Sequence, residues 1–567
     1  MTVTALTVLT ADRRTVWNPG LNSVGGIPNR TTVCATVQAS TYGNGAQDAT
    51  AGIQAAVDAC PLGQVVQFSA GTFTINNSII YLSKGITLRG AGPTLTTLSR
   101  TNGADMDPNS SHSNPAYVQA PIIIIGPTRW PIDGTSTNLT ADAVKGAYSV
   151  TVASASGLAV GDIVHIDELV DPNLIYYNPN DLPGGYSWFM RYQRPISEWK
   201  EISAINGTTV SFNTPLHTSY RTAFTAQLTP MAAGSKHVKS AGVENLKMRG
   251  GSEGNVRLVA AAYSWVKNVD CTYWGGECVD IASSFRCELR DSFIHDGEWP
   301  YPGGGGYAIS IQEGTSDTLV ENNISMGTIS PANQGPNLVG VNKVIVFRAA
   351  GAGCVVGYNY VDNGIVGYDL SWQEVGINGS HMCGSHHTLF EGNYAFNADG
   401  DNTHGNQVFH TFFRNYLTGK RSLYDSTFTH RGFGLMAGNW WMSAVANVIG
   451  YSGMPGAAVY ESTAPPWPDS IWKLGYDPGN WNATGDPKVI STVIRHGNFD
   501  YLTNKVAWDP SIPNHTLPPS LYLTGKPAFF NAGRGYTWPW VEPTSATPVL
   551  TLPAKARYDA GTPFVQP

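Results

Sequence analysis

The feature that most constrains this chain is a string that recurs eight times, in order, between residues 242 and 450. The occurrences are GVENLKM (242–248), WVKNVDC (265–271), CELRDSFI (287–294), TLVENNIS (318–325), CVVGYNYV (354–361), TLFEGNYA (388–395), TFFRNYL (411–417) and SAVANVIG (443–450). Each holds apolar residues, one or two polar ones, an Asn or Asp, then apolar residues again. Taking Asn245, Asn268, Asp291, Asn323, Asn359, Asn393, Asn415 and Asn447 as markers, the spacings are 23, 23, 32, 36, 34, 22 and 32. The shortest spacings define the unit, and the longer ones are that unit plus insertions. A unit this short, made of strands and one turn residue, buries its apolar face only by stacking on copies of itself, as a solenoid coil. Asn suits the turn because it enters left-handed backbone at low cost and its amide can pair coil on coil. Composition agrees: charged residues are 13% of the chain, with 62 Gly, 36 Pro, 16 Trp and 26 Tyr. That is a chain of turns and aromatics, poor in what long helices need.

Upstream, DATAGIQAAVDAC places Ile53, Ala56, Val57 and Cys60 on one helical face. Asp48 and Thr50 are the N-cap candidates, and Pro61 and Gly63 stop the helix. VVQFSAGTFTI and SIIYLSKGITLRGAG follow as short strands between Gly turns. The helix is thus placed to cover the open end of the stack, whose unpaired edge must be blunted. Residues 142–225 break the repeat with strand patterns and an Asn206-Gly207 hairpin signal. The expected organisation is a cap and first coils over 1–141, a small β insertion over 142–225, the main solenoid over 226–450, and an irregular Pro/Trp-rich tail over 451–567.

The block DATAGIQAAVDACPLGQVVQFSAGTFTI, the following GITLRGAG and the Asn-marked coils together resemble the right-handed parallel β-helix proteins of the pectate-lyase-like superfamily, over roughly residues 30–450. The resemblance implies an all-β, right-handed parallel β-helix and a polysaccharide-related role. It does not define the reaction, because one scaffold hosts hydrolases, lyases, esterases and phage tail proteins. The catalytic triplets of the polygalacturonases and the Arg and Lys sites of the pectate lyases do not map onto this chain.

Insertions between coils collect on one side of a solenoid and form its binding face. Here they are 295–316, 326–343, 362–386 and 418–441, and they mix aromatics with carboxylates or His, the composition of a glycan groove. Six of the 13 His fall within residues 381–430. Asp399 and Asp401 are the expected acid/base pair of a glycoside hydrolase, with His404 or His387 tuning them and Glu391 a further candidate. NADGDNTHGN around them reads as a loop, and His386 and His387, adjacent in a strand, point to opposite faces. Trp299, Trp372 and Trp440 are the expected sugar platforms, with Arg348, His381, Asp369 and Glu374 also in the groove. For each Asp, turn capping is the competing role. Elimination would instead need a base and cations to neutralise a uronate carboxylate, a role open to Arg348, His381, His387, Lys420 and Arg431. No Lys/Arg cluster stands out in the sequence and the net charge is −7, so hydrolysis ranks ahead of elimination. A glycan-binding adhesin or tailspike-like protein is the non-enzymatic alternative.

The same charge excludes nucleic acid as a main partner, and no apolar run is long enough to span a membrane. NADGDN has an acidic look but lacks the register of a Ca²⁺ loop, so no metal or cofactor is assigned. There is no phosphate loop after Gly303–Gly306 and no GxSxG elbow. Cys34 and Cys60 flank the strand-to-helix segment and can pair; seven Cys leave at least one free. The N-terminus does not read as an intact signal peptide; the expected location is nonetheless secreted or periplasmic.

Overall fold

The computed structural model describes residues 8–102, 120–128, 133–176, 191, 193–232, 234–298, 306–331, 339–366, 375–423, 430–454, 458–463, 468–477, 485–531 and 534–565. Short strands follow one another into three long sheets, each strand pairing with the strand one coil earlier and one coil later. The first sheet runs from Val33–Val37 to Ile494–His496, the second from Gly71–Thr74 to Lys505–Ala507, and the third from Ile80–Leu82 to Ser470–Tyr476, with Val459–Ser462 added at its end. Within the stack the pairings are parallel, such as Leu319–Glu321 on Val355–Gly357. The molecule is a right-handed parallel β-helix, as parallel crossovers demand.

Alternation along each strand fills the interior. In Tyr307–Gln312, Ile309 and Ile311 enter the core, leaving Ser310 and Gln312 on the outer side. The helix Thr50–Ala59 puts Ile53 and Val57 into the same core against Val37, Phe73 and Ile80, closing the first coil. Ala49 is its N-cap residue; Asp48 accepts from the Thr50 N–H at 3.0 Å and from the Asn76 N–H at 2.6 Å, tying the helix start to the next turn. A disulfide joins Cys34 to Cys60, and the other five cysteines are buried thiols.

The marker residues separate into two ladders. Asn323, Asn359, Asn393, Asn415, Asn447 and Asn498 form an unbroken inner run, each side-chain amide donating to the next at 2.9–3.0 Å. The left-handed position is the residue before: Asn322, Tyr358, Arg414 and Ala446 there have φ of 50–58°. In the earlier coils Asn245, Asn268 and Asp291 occupy that left-handed position themselves, and Asn268 donates to Asn245 at 2.9 Å. The sequence alignment therefore joins two neighbouring positions: left-handed backbone accounts for the marker Asn or Asp of the first three coils, and amide pairing for the marker Asn of the later ones.

Between the first coils and the main stack, Thr137–Asn138, Ser149–Thr151, Ile163–Glu168, Ile196–Asn206, Thr209–Phe212 and Gln227–Thr229 form a separate six-stranded antiparallel sheet, wider at both ends than 142–225. It lies on the corner where third-sheet strands turn into the first sheet. Trp199 donates its indole N–H to Glu313 O at 2.8 Å, Lys200 pairs with Asp317 at 3.2 Å, and the Tyr176 N–H reaches Asn406 at 2.8 Å.

The stack does not fade at residue 450. Ser470–Tyr476, Ile494–His496 and Asn498–Asp500 add strands to all three sheets, so the irregular tail begins only after residue 507. This tail covers the first and second sheets. Trp540 donates to Gly392 O at 2.7 Å, Trp538 to the Tyr358 hydroxyl at 2.8 Å, and Arg414 to the carbonyls of Leu517, Pro518 and Val541 at 2.7–3.0 Å.

Candidate functional site on the third sheet

The outer face of the third sheet carries a polar column in continuous register. Arg257 pairs with Asp280, Asp280 with Ser310, Ser310 with Val346, Val346 with Asn378, Asn378 with Asp399, Asp399 with Gly434 and Gly434 with Lys473. Each member is flanked by core residues, as in Val256-Arg257-Leu258 and Ile471-Trp472-Lys473-Leu474. At ~4.8 Å per coil, the column is a track roughly 34 Å long. The four insertions named above each follow a second-sheet strand and precede or include a third-sheet strand, and their described ends lie at the corner between those two sheets. The six-stranded insertion flanks the opposite edge.

In the middle of this track three coils bring together an acid/base chain. The Tyr307 hydroxyl is 3.2 Å from His381 Nε2, and His381 Nδ1 is 2.9 Å from Asp401 Oδ2. Asn378 donates to the same Asp401 oxygen at 2.6 Å, and Lys343 Nζ lies 3.4 Å from it. The His404 ring packs edge-on to His381, centroids 5.0 Å apart. Next to this chain, Arg348 binds Glu277 and Ser310 at 2.6 Å each, with its guanidinium 5.5 Å from the Tyr307 ring centre. One coil further, Asp280 accepts from Gln312 at 2.7 and 2.8 Å and lies 2.9 Å from Arg257 Nε. Glu277, Lys343 and His404 remain partly exposed and mark where the chain meets solvent.

Electrostatics assign the protons. Burial would raise the Asp401 pKa, but His381 and Lys343, with the hydrogen bonds from His381 and Asn378, outweigh it and hold the carboxylate well below its usual range. Burial pushes His381 below its ordinary value against the pull of Asp401, leaving a neutral imidazole near pH 7. Nδ1–H then donates to Asp401, and Nε2 accepts from Tyr307. Burial pushes Asp280 up to about 7, against Arg257. Arg348 is raised despite its burial, because Glu277 and Asp280 face it.

The structure brings Asp401, His381, His404 and Arg348 into this one site. Asp399 is held apart from solvent. It lies on the strand Ala398–Gly400 rather than in a loop, is fully buried, and is clamped by Arg431 through Nε at 2.8 Å and through Nη2. Glu391 is on another sheet: it projects from the first sheet under the tail, 3.1 Å from the Tyr358 hydroxyl, and accepts from the Leu521 N–H at 2.8 Å. His386 and His387 both face the docked insertion, not opposite sides; His387 has φ of 53° and lies 2.7 Å from Lys145 Nζ and 2.8 Å from Asp12 O. Trp440 is a poor sugar platform, because Lys488 Nζ lies 3.4 Å from its ring centre and its N–H donates to Asp486 at 2.8 Å. Trp299, Trp372, Asp369 and Glu374 lie outside the described residues.

Sequence reasoning passed over Tyr307, Lys343, Glu277, Asp280, Arg257 and Gln312. The signal was present as a polar residue between two apolar ones in VRLV, VDI, ISI and WKL, but it follows the third strand of each coil, and the Asn markers follow the turn between the first and second. The cations that stood scattered in sequence, Arg257, Lys343, Arg348, Arg431 and Lys473, share this face. Among the described residues no group of three or more His, Cys, Asp or Glu could hold a metal ion, and no helix is long and apolar enough to cross a membrane.

Three stacked parallel sheets, a capping helix and an outward polar track define a parallel β-helix protein. Residues 37–163 are similar to the family model described as rhamnogalacturonase A/epimerase, pectate lyase-like. No curated protein sequence matches the chain. Among solved structures it is similar to the tailspike protein gp49 of Pseudomonas phage LKA1 (14% identity, covering 75% of this chain and 70% of that one, TM-score 0.40). It is also similar to the A-module of the Azotobacter vinelandii mannuronan C-5 epimerase AlgE6 (10% identity, 82% and 99%, TM-score 0.39). A third is the Gp54 tailspike of Acinetobacter baumannii bacteriophage AP22, solved with a capsular saccharide (11% identity, 77% and 74%, TM-score 0.37).

Proposed function

We propose that this protein is a carbohydrate-active enzyme that abstracts a proton from a uronate residue of an extended polysaccharide, as a lyase or an epimerase. The observation that carries the reading is the Tyr307–His381–Asp401 chain with Lys343 beside it. A uronate's C5 proton lies α to its carboxylate. Removing it needs a base and a cation that stabilises the charge appearing on the carboxylate oxygens. Asp401 holds the His381 tautomer, so the Nε2 lone pair takes the proton, directly or through the Tyr307 oxygen. Lys343 and Arg348 face the developing charge. In elimination the C5–H electron pair becomes the C4–C5 double bond while the C4–O bond breaks and the leaving oxygen is protonated. In epimerisation the proton returns to the opposite face.

Glycoside hydrolysis is the second reading, favoured by one observation: Asp280, which burial pushes up to about 7 and so toward the range of a general acid, lies on the same strand as the partly exposed Glu277. Hydrolysis would need this pair, not Asp399 and Asp401. The Cys34–Cys60 disulfide supports a secreted or periplasmic location.

The test is incubation with a panel of uronate-containing polysaccharides in deuterated water. Either deuterium at C5, the mark of epimerisation, or the ultraviolet absorbance of an unsaturated uronate, the mark of elimination, whose product carries no hydrogen at C5, supports proton abstraction when it is lost in His381→Ala. New reducing ends with neither signal support hydrolysis. No change in any glycan overturns both.

A further inference from the structure

A second cavity lies far from the third sheet, on the tail that covers the other two. It has a volume of about 340 Å³ and is lined by Phe529, Arg534 and Tyr536, by Pro553 and Arg557 of the helix Pro553–Asp559, and by Thr562, Phe564 and Val565 after it. That volume is near the lower end of the ~300–1,000 Å³ typical of small-ligand sites, room for one or two units of a sugar chain. Phe529, Tyr536 and Phe564 give it aromatic walls; Arg534 and Arg557 give it two cations, and no carboxylate is among its described lining residues.

The two arginines differ. Arg557 is built in: Nη1 donates to Asn322 Oδ1 at 3.0 Å, Nη2 to Asn322 O at 2.8 Å and Nε to Pro563 O at 3.2 Å. A guanidinium has five N–H groups, so one on each terminal nitrogen is left without a protein acceptor. Arg534 is exposed and has no hydrogen-bond or ion-pair partner among the described residues. Burial depresses Arg557, Asp291 pulls it back, and Arg534 adds repulsion. On a chain of net charge −7, two like charges facing one aromatic cavity are complementary to an anion.

We propose that this cavity is an ancillary binding site for an acidic saccharide, one that anchors the glycan without reacting with it. Tyr536, Phe529 and Phe564 take the C–H faces of the ring, while the free N–H groups of Arg557 and the guanidinium of Arg534 take its carboxylate or sulfate, the geometry guanidinium serves best. The assignment shares with the proposed function only the acidic nature of the glycan. It stands if the third sheet proves to do other chemistry.

The experiment is calorimetric titration of the full chain carrying His381→Ala with tri-galacturonate and with its carboxyl-reduced, neutral counterpart. Arg534→Ala and Tyr536→Ala are added singly, and thermal unfolding checks that each variant is folded. Because Arg534 makes no intramolecular bond among the described residues, its removal leaves folding intact. The expected result is that either substitution weakens tri-galacturonate binding at least tenfold or removes one site from the stoichiometry, and that the neutral sugar binds tenfold or more weaker than the acid. Identical titration of parent and both variants overturns the site. Equal binding of neutral and acidic sugars overturns the acidic assignment. Failure of His381→Ala to abolish turnover, with the titrations as expected, would sink only the proposed reaction.

Discussion

The first and third sheets both present charged side chains outward at matching intervals, yet they end in opposite states. On the first sheet, Glu288, Glu321 and Glu391 are covered by chain. The Leu21 N–H donates to Glu288 at 2.6 Å, the Tyr522 hydroxyl to Glu321 at 2.7 Å, and the Leu521 N–H to Glu391 at 2.8 Å. On the third sheet, no part of the tail lies over the strands among the described residues, and the carboxylates meet other side chains: Asp280 meets Arg257, Glu277 meets Arg348, and Asp401 meets His381 and Lys343. A carboxylate covered by chain is kept from any substrate even where, as at Glu391, it still titrates. One bonded to an imidazole can pass a proton. Side-chain partners occur on both sheets, since Arg290 pairs with Glu288 at 3.5 Å and with Glu321 at 2.9 Å; the difference between a lid and a site is that chain covers the first-sheet carboxylates.

The largest effect separates the corner between these faces from both. Burial pushes His165, His386 and His410 down to about 3 and His237 to about 4. The unfolded chain protonates these groups near 6.5 while the folded one does not, so their stabilisation is complete above that pH. It falls by about 1.4 kcal/mol per His for each pH unit below it. Thermal scans should show the melting temperature dropping steeply from pH 6.5 toward 4, with the insertion losing its docking first. A flat profile over that range would mean these histidines are not buried neutral.

The catalytic comparison comes next in size. His381→Ala and Tyr307→Phe should each lower turnover about 10²–10⁴-fold, whereas Glu391→Gln should leave turnover near the parent rate. An equal loss in all three, measured on the same glycan, would erase the distinction between the two faces. Asp399→Asn tests the clamp: leaving Arg431 buried without its carboxylate should cost about 3–5 kcal/mol in denaturant unfolding.

The smallest effect has the opposite pH sign to the histidines. Burial pushes Glu391 up to about 7 from an ordinary 4.5, against the bonds from Ser520 and Leu521. The unfolded form gives up its proton first, so stability falls as pH rises from 4.5 and levels above 7, by about 3 kcal/mol at most. Glu391→Gln should flatten that slope, seen as a gain relative to the parent at pH 8 and none at pH 4.5.

The stacking was legible because it is local. A strand, a turn and a strand repeat within twenty-odd residues, and the helix from Thr50 reads from its own periodicity. The Asn markers were legible as a set but misaligned by one position, since Asn323 and Asn245 look alike in sequence while one pairs amides inside the turn and the other adopts left-handed backbone. The end of the stack was missed because Ser470–Tyr476, Ile494–His496 and Asn498–Asp500 are interrupted by a helix at Pro487–Thr492. The His-rich window from 381 to 430 did contain His381, Asp401 and His404, but also His387, His410 and Asp399, which look no different along the chain.

What the residues alone determined is the β-helix: apolar side chains alternating with polar ones, punctuated by turn residues, can bury their inner faces only by winding and stacking. What tertiary structure alone decided is which of the many outward charges meet. Tyr307, Lys343, His381 and Asp401 are up to 94 residues apart in sequence and become neighbours because each coil advances by one strand spacing while inserted residues are spent at the corners. Distance along the chain then carries no information about distance across the sheet, and only the register of the third sheet turns scattered ions into one proton-passing site.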